Sequence, residues 1–130
     1  MSMHLEYKGL DLTETTMLLA CLPRGRQFSV AARKRYGRVA SRGVFTAVLG
    51  VDMPPEPEPQ IRGGRLDPDD PLAREWSVIV LGPHFAGALI AREHDRGGPD
   101  DLRRFDFLIT HDRDAVIAAA RPLLNRLLPA

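Results

Sequence analysis

The 130-residue sequence predicts an α/β fold with a mixed sheet of about five strands and two main helices, in the order β-α-β-loop-β-β-β-α. Three observations carry this. Two short apolar runs flank a helix-periodic segment in the first 51 residues, a pair of apolar runs is separated by Gly82 and Pro83, and an apolar run beginning at Arg103 passes at once into the Ala-rich stretch after Asp112. One domain accounts for the whole chain, with residues 1–16 as an N-terminal extension and residues 52–73 as a long Pro-rich loop.

The run "MLLACLP" (17–23), stopped by Pro23 and Gly25, suits a strand buried on both faces. From Arg26 to Arg42 the apolar residues Phe28, Ala31, Ala32, Tyr36, Val39 and Ala40 recur at helical spacing, and Gly43 ends the helix. "VFTAVLGV" (44–51) is then a second strand. Strand, helix and strand within about 35 residues imply a βαβ unit with parallel strands. Six prolines between Pro54 and Pro71 exclude regular helix and central strand, and the paired Gly63 and Gly64 mark a close approach or a sharp turn. "EWSVIVLG" and "FAGALIARE" form a hairpin, "RRFDFLITHD" is the last strand, and the last helix runs from Arg113 to about Leu128, interrupted by Pro122. Its apolar positions, Val116, Ile117, Ala120, Leu123, Leu124, Leu127 and Leu128, cover nearly half the wheel, more than one sheet contact requires. A homodimer or output-domain contact through Ile117, Leu124 and Leu128 is therefore expected.

Composition narrows the function. Eighteen Lys and Arg against 17 acidic residues leave a net charge of +1, which gives no reason to expect nucleic acid or a membrane surface as partner. The single Cys21 excludes an internal disulfide, no apolar run reaches the length of a membrane helix, and a cytoplasmic location is expected.

The chemistry-bearing residues cluster at turns. Asp112 stands where a carboxylate caps the last helix, and Asp114 adds favourable charge in its first turn. His111 is not needed for the cap. It sits at a strand end, where α/β folds place ligands. In "PRGRQF" Gly25 admits close approach, and Arg24 and Arg26 suit a small anionic ligand. The expected ligand-binding residues are Arg24, Arg26, Gln27, Asp52 and His111, gathered at the carboxyl ends of strands that precede helices. His84, His94 and His111 follow no metal-ligand spacing, Ser29, Ser41 and Ser77 lie in no nucleophile elbow, and no Gly-rich phosphate cradle is present. Neither metal, cofactor nor catalytic residue is expected.

The segments "PLAREWSVIVLGPHFAGALIARE" and "RRFDFLITHDRDAVIAAARPLL", together with the front half from Met17, resemble the DICT sensory domain, named for diguanylate cyclases and two-component systems. The resemblance rests on Glu75 and Trp76, the "GPHFAGALIARE" hairpin, "RRFDF" from Arg103 to Phe107, and the Thr110 and Asp112 junction, none of them a catalytic signature. It implies a noncatalytic input module of cyclic-di-GMP or two-component signalling that senses a small ligand or a partner. The alternative is a dimerisation module that senses nothing. No GGDEF motif, EAL motif or DNA-binding helix pair accompanies it, so the chain is expected to act in trans or as the input half of a longer protein.

Overall fold

The apolar run at Met17 becomes β1 (Met17–Cys21), the strand from which the sheet spreads in a computed structural model that describes residues 16–22, 29–94 and 104–127. Helix α1 (Val30–Ser41) leads to β2 (Phe45–Gly50), which lies parallel to β1 with Met17 opposite Phe45 and Cys21 opposite Leu49. Three further strands follow a short 3₁₀ turn at Pro71–Arg74: β4 (Glu75–Leu81), β5 (Ala86–His94) and β6 (Arg104–Thr110). Helix α2 (Arg113–Leu127) closes the described chain.

The sheet has six strands rather than about five. The additional one is β3 (Ile61–Arg65), inside the segment expected to be loop, and the order across the sheet is β3-β2-β1-β4-β5-β6. β3 pairs parallel with β2, β4 antiparallel with β1, and the remaining neighbours are antiparallel. The prolines are not violated. Pro59 and Pro68 flank β3, which occupies an edge, where a strand needs only one hydrogen-bonding side.

The glycine pair explains why so polar a segment is a strand. A Cβ on Gly63 would stand 1.7 Å from the carbonyl oxygen of Pro54, and one on Gly64 would stand 2.8 Å from Leu127 Cδ2 and 2.9 Å from Leu49 Cγ. β3 thus threads between the Pro-rich segment and the end of α2, and the Gly63 amide donates to the Pro55 carbonyl at 2.8 Å. Ile61 and Leu66 are buried at either end of this passage.

β1 is buried on both faces, so both must be covered. Leu18 and Ala20 pack with Tyr36, Val39 and Ala40 of α1. Leu19 and Cys21 pack with Val116, Ala120, Leu123 and Leu127 of α2. α1 begins at Val30, later than the expected Arg26, because Ser29 is its cap: the Ser29 Oγ accepts from the Ala32 amide at 3.2 Å. Asp112 caps α2 as expected, its Oδ2 accepting from the Ala115 amide at 3.2 Å. α2 continues through Pro122 to Leu127 and packs on β1, β3, β4 and β5. This diagonal path uses much of the broad apolar arc: Val116, Ala120, Leu123 and Leu127 are buried, while Ile117 and Leu124 are half-buried. Leu128 lies outside the described residues.

Polar contacts fasten α2 at both ends. Arg113 donates to the carbonyls of Gly82 at 2.8 Å and Pro83 at 3.4 Å. At the other end Arg62 donates to the Leu127 carbonyl at 2.5 Å, and Arg126 binds Asp70 through two hydrogen bonds of 2.6 and 2.9 Å. Asp70 also caps the 3₁₀ turn by accepting from the Leu72 amide at 3.0 Å.

Two expectations follow. Gly63→Ala should destabilise the chain by about 2 kcal/mol or more, since backbone rather than a movable side chain meets the new methyl, and it should cost more than Gly64→Ala in urea unfolding. The second concerns Asp70, whose carboxyl the Arg126 guanidinium holds below its usual range. A depressed carboxylate stabilises the fold above its unfolded value near 4 and loses that contribution as pH falls through the lower folded value. Asp70→Asn should therefore be less stable than the native chain by about 1 kcal/mol at pH 7, and the gap should narrow below about pH 4.

Candidate functional site

Of the five expected ligand residues, the two that are described, Asp52 and His111, lie at opposite ends of the sheet. Arg24, Arg26 and Gln27 lie outside the described residues, and with them the basis for an anionic ligand. Asp52 follows β2 at the carboxyl end of the parallel strands and borders a shallow hollow of about 330 Å³ with Pro54, Pro55 and Arg65. His111 lies at the opposite end of the sheet. Thr110 is two residues along β5 from the level of Ala86, which pairs with Leu81, which in turn pairs with Met17, the first residue of β1. β6 precedes a helix but runs antiparallel to β1, so its carboxyl end points the other way.

His111 has a local structural task. Its Nδ1 stands 3.1 Å from the Ala86 carbonyl oxygen, a hydrogen bond that requires the proton on Nδ1, and its ring meets Phe85 edge-on at 5.6 Å. Together with Arg113 it ties the β6–α2 junction to the β4–β5 turn.

The larger opening lies elsewhere. A cleft of about 380 Å³ runs between α2 and the outer half of the sheet. Its sheet wall is built from Ile79, Ile90 and Leu108 on three successive strands, and its helix wall from Ala118, Ala119, Pro122 and Leu123. Small side chains on the helix keep it open: Ala118 and Ala119 face the cleft where the next turns of α2 carry Leu123 and Leu127 into the core. The volume falls within the range of small-molecule sites.

Two polar side chains enter this apolar cleft from β4. Glu75 is 8% exposed and Ser77 3%, although β4 is otherwise apolar at Val78, Ile79 and Val80. Glu75 stands opposite Arg92 on β5, and its Oε2 accepts from an Arg92 nitrogen at 2.7 Å. The Arg92 side chain is 66% exposed and forms the rim. Below them is Cys21, opposite Ser77 on β1. Burial, with the nearby negative charge of Glu75, pushes its thiol up to about 12, and its Sγ contacts the Leu72 carbonyl at 3.4 Å. That thiol is a protonated, inert core group at neutral pH.

Sequence reasoning valued Glu75 only as part of the "EW" pair and did not reach Ser77 or Arg92 as site residues. The available signal was a carboxylate and a hydroxyl at positions i and i+2 of an apolar strand, which places both on one face. Trp76, between them, points to the other face and is 40% exposed, while Tyr36 is buried in the core.

A search of curated proteins finds no match. The family model described as the sensory domain in diguanylate cyclases and two-component systems matches residues 1–94, a span that takes in β1 to β5 and ends before β6 and α2. Since that match covers 94 of 130 residues, the chain belongs to the DICT family of sensory domains.

Proposed function

We propose that the chain is a noncatalytic input module of cyclic-di-GMP or two-component signalling, and that it registers its signal by binding a small molecule in the cleft between α2 and strands β4 to β6. The observation that supports this is the cleft's composition: apolar walls on three strands and a helix, with Glu75 and Ser77 facing a space of about 380 Å³. A few polar groups set into an apolar wall are what a small-molecule site uses to orient its ligand, and Glu75 and Ser77 stand in that arrangement. The output contact is assigned to α2, whose Ile117 and Leu124 flank is only half-buried by its own sheet.

A second reading, self-association without a ligand, is favoured by β6. Phe107, Leu108 and Ile109 are 66%, 54% and 44% exposed on an edge strand. Edge strands offer unpaired backbone groups that a second copy matches by two-fold symmetry.

Native mass spectrometry of chain purified without denaturation separates the two. A retained small molecule, lost in an Ala119→Phe variant that fills the cleft but keeps the native circular dichroism, is the expected result. A bare dimer that Ile109→Lys converts to monomer would favour the second reading and overturn the first. The same preparation should turn over neither GTP nor cyclic di-GMP, and metal-dependent turnover of either would remove the noncatalytic assignment.

A further inference from the structure

We infer that the cleft's ligand is an amphipathic cation, a molecule with a primary ammonium or amidinium head and a short apolar body. This rests on the cleft being the ligand site and specifies what it takes. The argument starts from which hydrogen-bonding groups of the cleft are spent. Arg92 satisfies Glu75 Oε2, but among the described residues no donor reaches Glu75 Oε1 and no side chain or backbone group bonds the Ser77 hydroxyl. Pro122, which has no amide hydrogen, leaves the Ala118 carbonyl without its usual helical donor, and both residues border the cleft. The groups left over are thus a carboxylate oxygen, a carbonyl and a hydroxyl, all able to accept.

Charge points the same way. Among the described residues the single basic group of the lining, Arg92, is at the rim and already paired, whereas Glu75 is the charged group within. An anionic head would face Glu75 across an apolar space, where repulsion is screened least. A cationic head instead forms a charge-assisted hydrogen bond to Oε1 and further bonds to Ser77 and Ala118. Ile79, Ile90, Leu108 and Leu123 then receive the apolar body.

The test uses three probes of one shape, hexylamine, hexanol and hexanoate, titrated into the native chain at pH 7 and followed through the amide resonances of Glu75, Ser77, Leu108 and Ala119. Hexylammonium should bind at least about tenfold more tightly than either of the others, the worth of one charge-assisted hydrogen bond. Glu75→Gln should remove that preference, and Arg92→Ala, which frees the second carboxylate oxygen, should strengthen hexylammonium binding; the latter variant decides the matter should Glu75→Gln fail to fold. Hexanol or hexanoate binding in the cleft as tightly as hexylammonium would overturn the cationic assignment while leaving the cleft as a ligand site. No shift at these residues with any probe would overturn both.

Discussion

The burial of β1 on both faces is the constraint from which the rest of the structure follows. Leu18, Leu19, Ala20 and Cys21 are all inaccessible to solvent, so neither side of the central strand can face water. A sheet with such a centre needs a helix on each face, and the described residues supply one apiece. Six strands at about 4.8 Å spacing extend some 24 Å across, whereas one helix with its side chains spans about 10 Å. Among the described elements, each face is therefore covered at β1 and left partly bare toward β6. On the α1 face the bare region carries Trp76 and Ile109. On the α2 face it is the cleft. Among the described elements, the opening follows from one helix lying on that face of the sheet, and what distinguishes it is the pair of polar residues that β4 sends into it.

Where local pattern and tertiary role agree, the elements are legible from sequence. β1 and β2 are continuous apolar runs because both their faces are buried, and the β4–β5 hairpin is announced by Gly82 and Pro83 between two such runs. α2 reads clearly because its cap and first turn are local chemistry at Asp112 and Asp114. β3 fails the same test for a physical reason. "IRGGR" owes two of its five residues to the approach of Pro54, Leu49 and Leu127, atoms remote in sequence or from another element, and only Ile61 in its own composition favours a strand. The start of α1 is misplaced for a smaller one: apolar spacing extends back to Phe28, but the side chain that caps the helix is Ser29.

The site was less legible than the fold because its residues are joined by register. Glu75 and Arg92 are 17 positions apart and become partners only when β4 and β5 pair at Ala86 and Leu81. The expectation of a crevice at strand ends assumed that each strand preceding a helix runs the same way. That holds for β1, but across β4, β5 and β6 the direction reverses three times, so β6 runs opposite to β1 and carries His111 to the far end of the sheet. Strand polarity in the second half depends on long-range pairing that no window of sequence displays.

The cleft's position also decides how occupancy can be felt elsewhere. A ligand shifts an equilibrium only by the difference in its affinity for two states, so it must touch an element with two available arrangements. Most of the sheet wall is a poor candidate, since Ile79 and Ser77 belong to the buried centre. The helix wall is a better one. α2 is held at its start by Arg113 on Gly82 and Pro83 and at its end by Arg62 and Arg126, while its middle, from Ala118 to Leu123, borders the cleft. Pro122 falls in that middle and interrupts the hydrogen-bond ladder there, lowering the cost of bending between the two anchors. On the reading proposed above, a molecule filling the cleft would press on the helix where its hydrogen-bond ladder is interrupted, between the anchors at Gly82 and Asp70. The same residues that close the core of the fold on its α2 face thus belong to an element that lines the cleft and still presents a half-buried flank, at Ile117 and Leu124, to whatever lies outside.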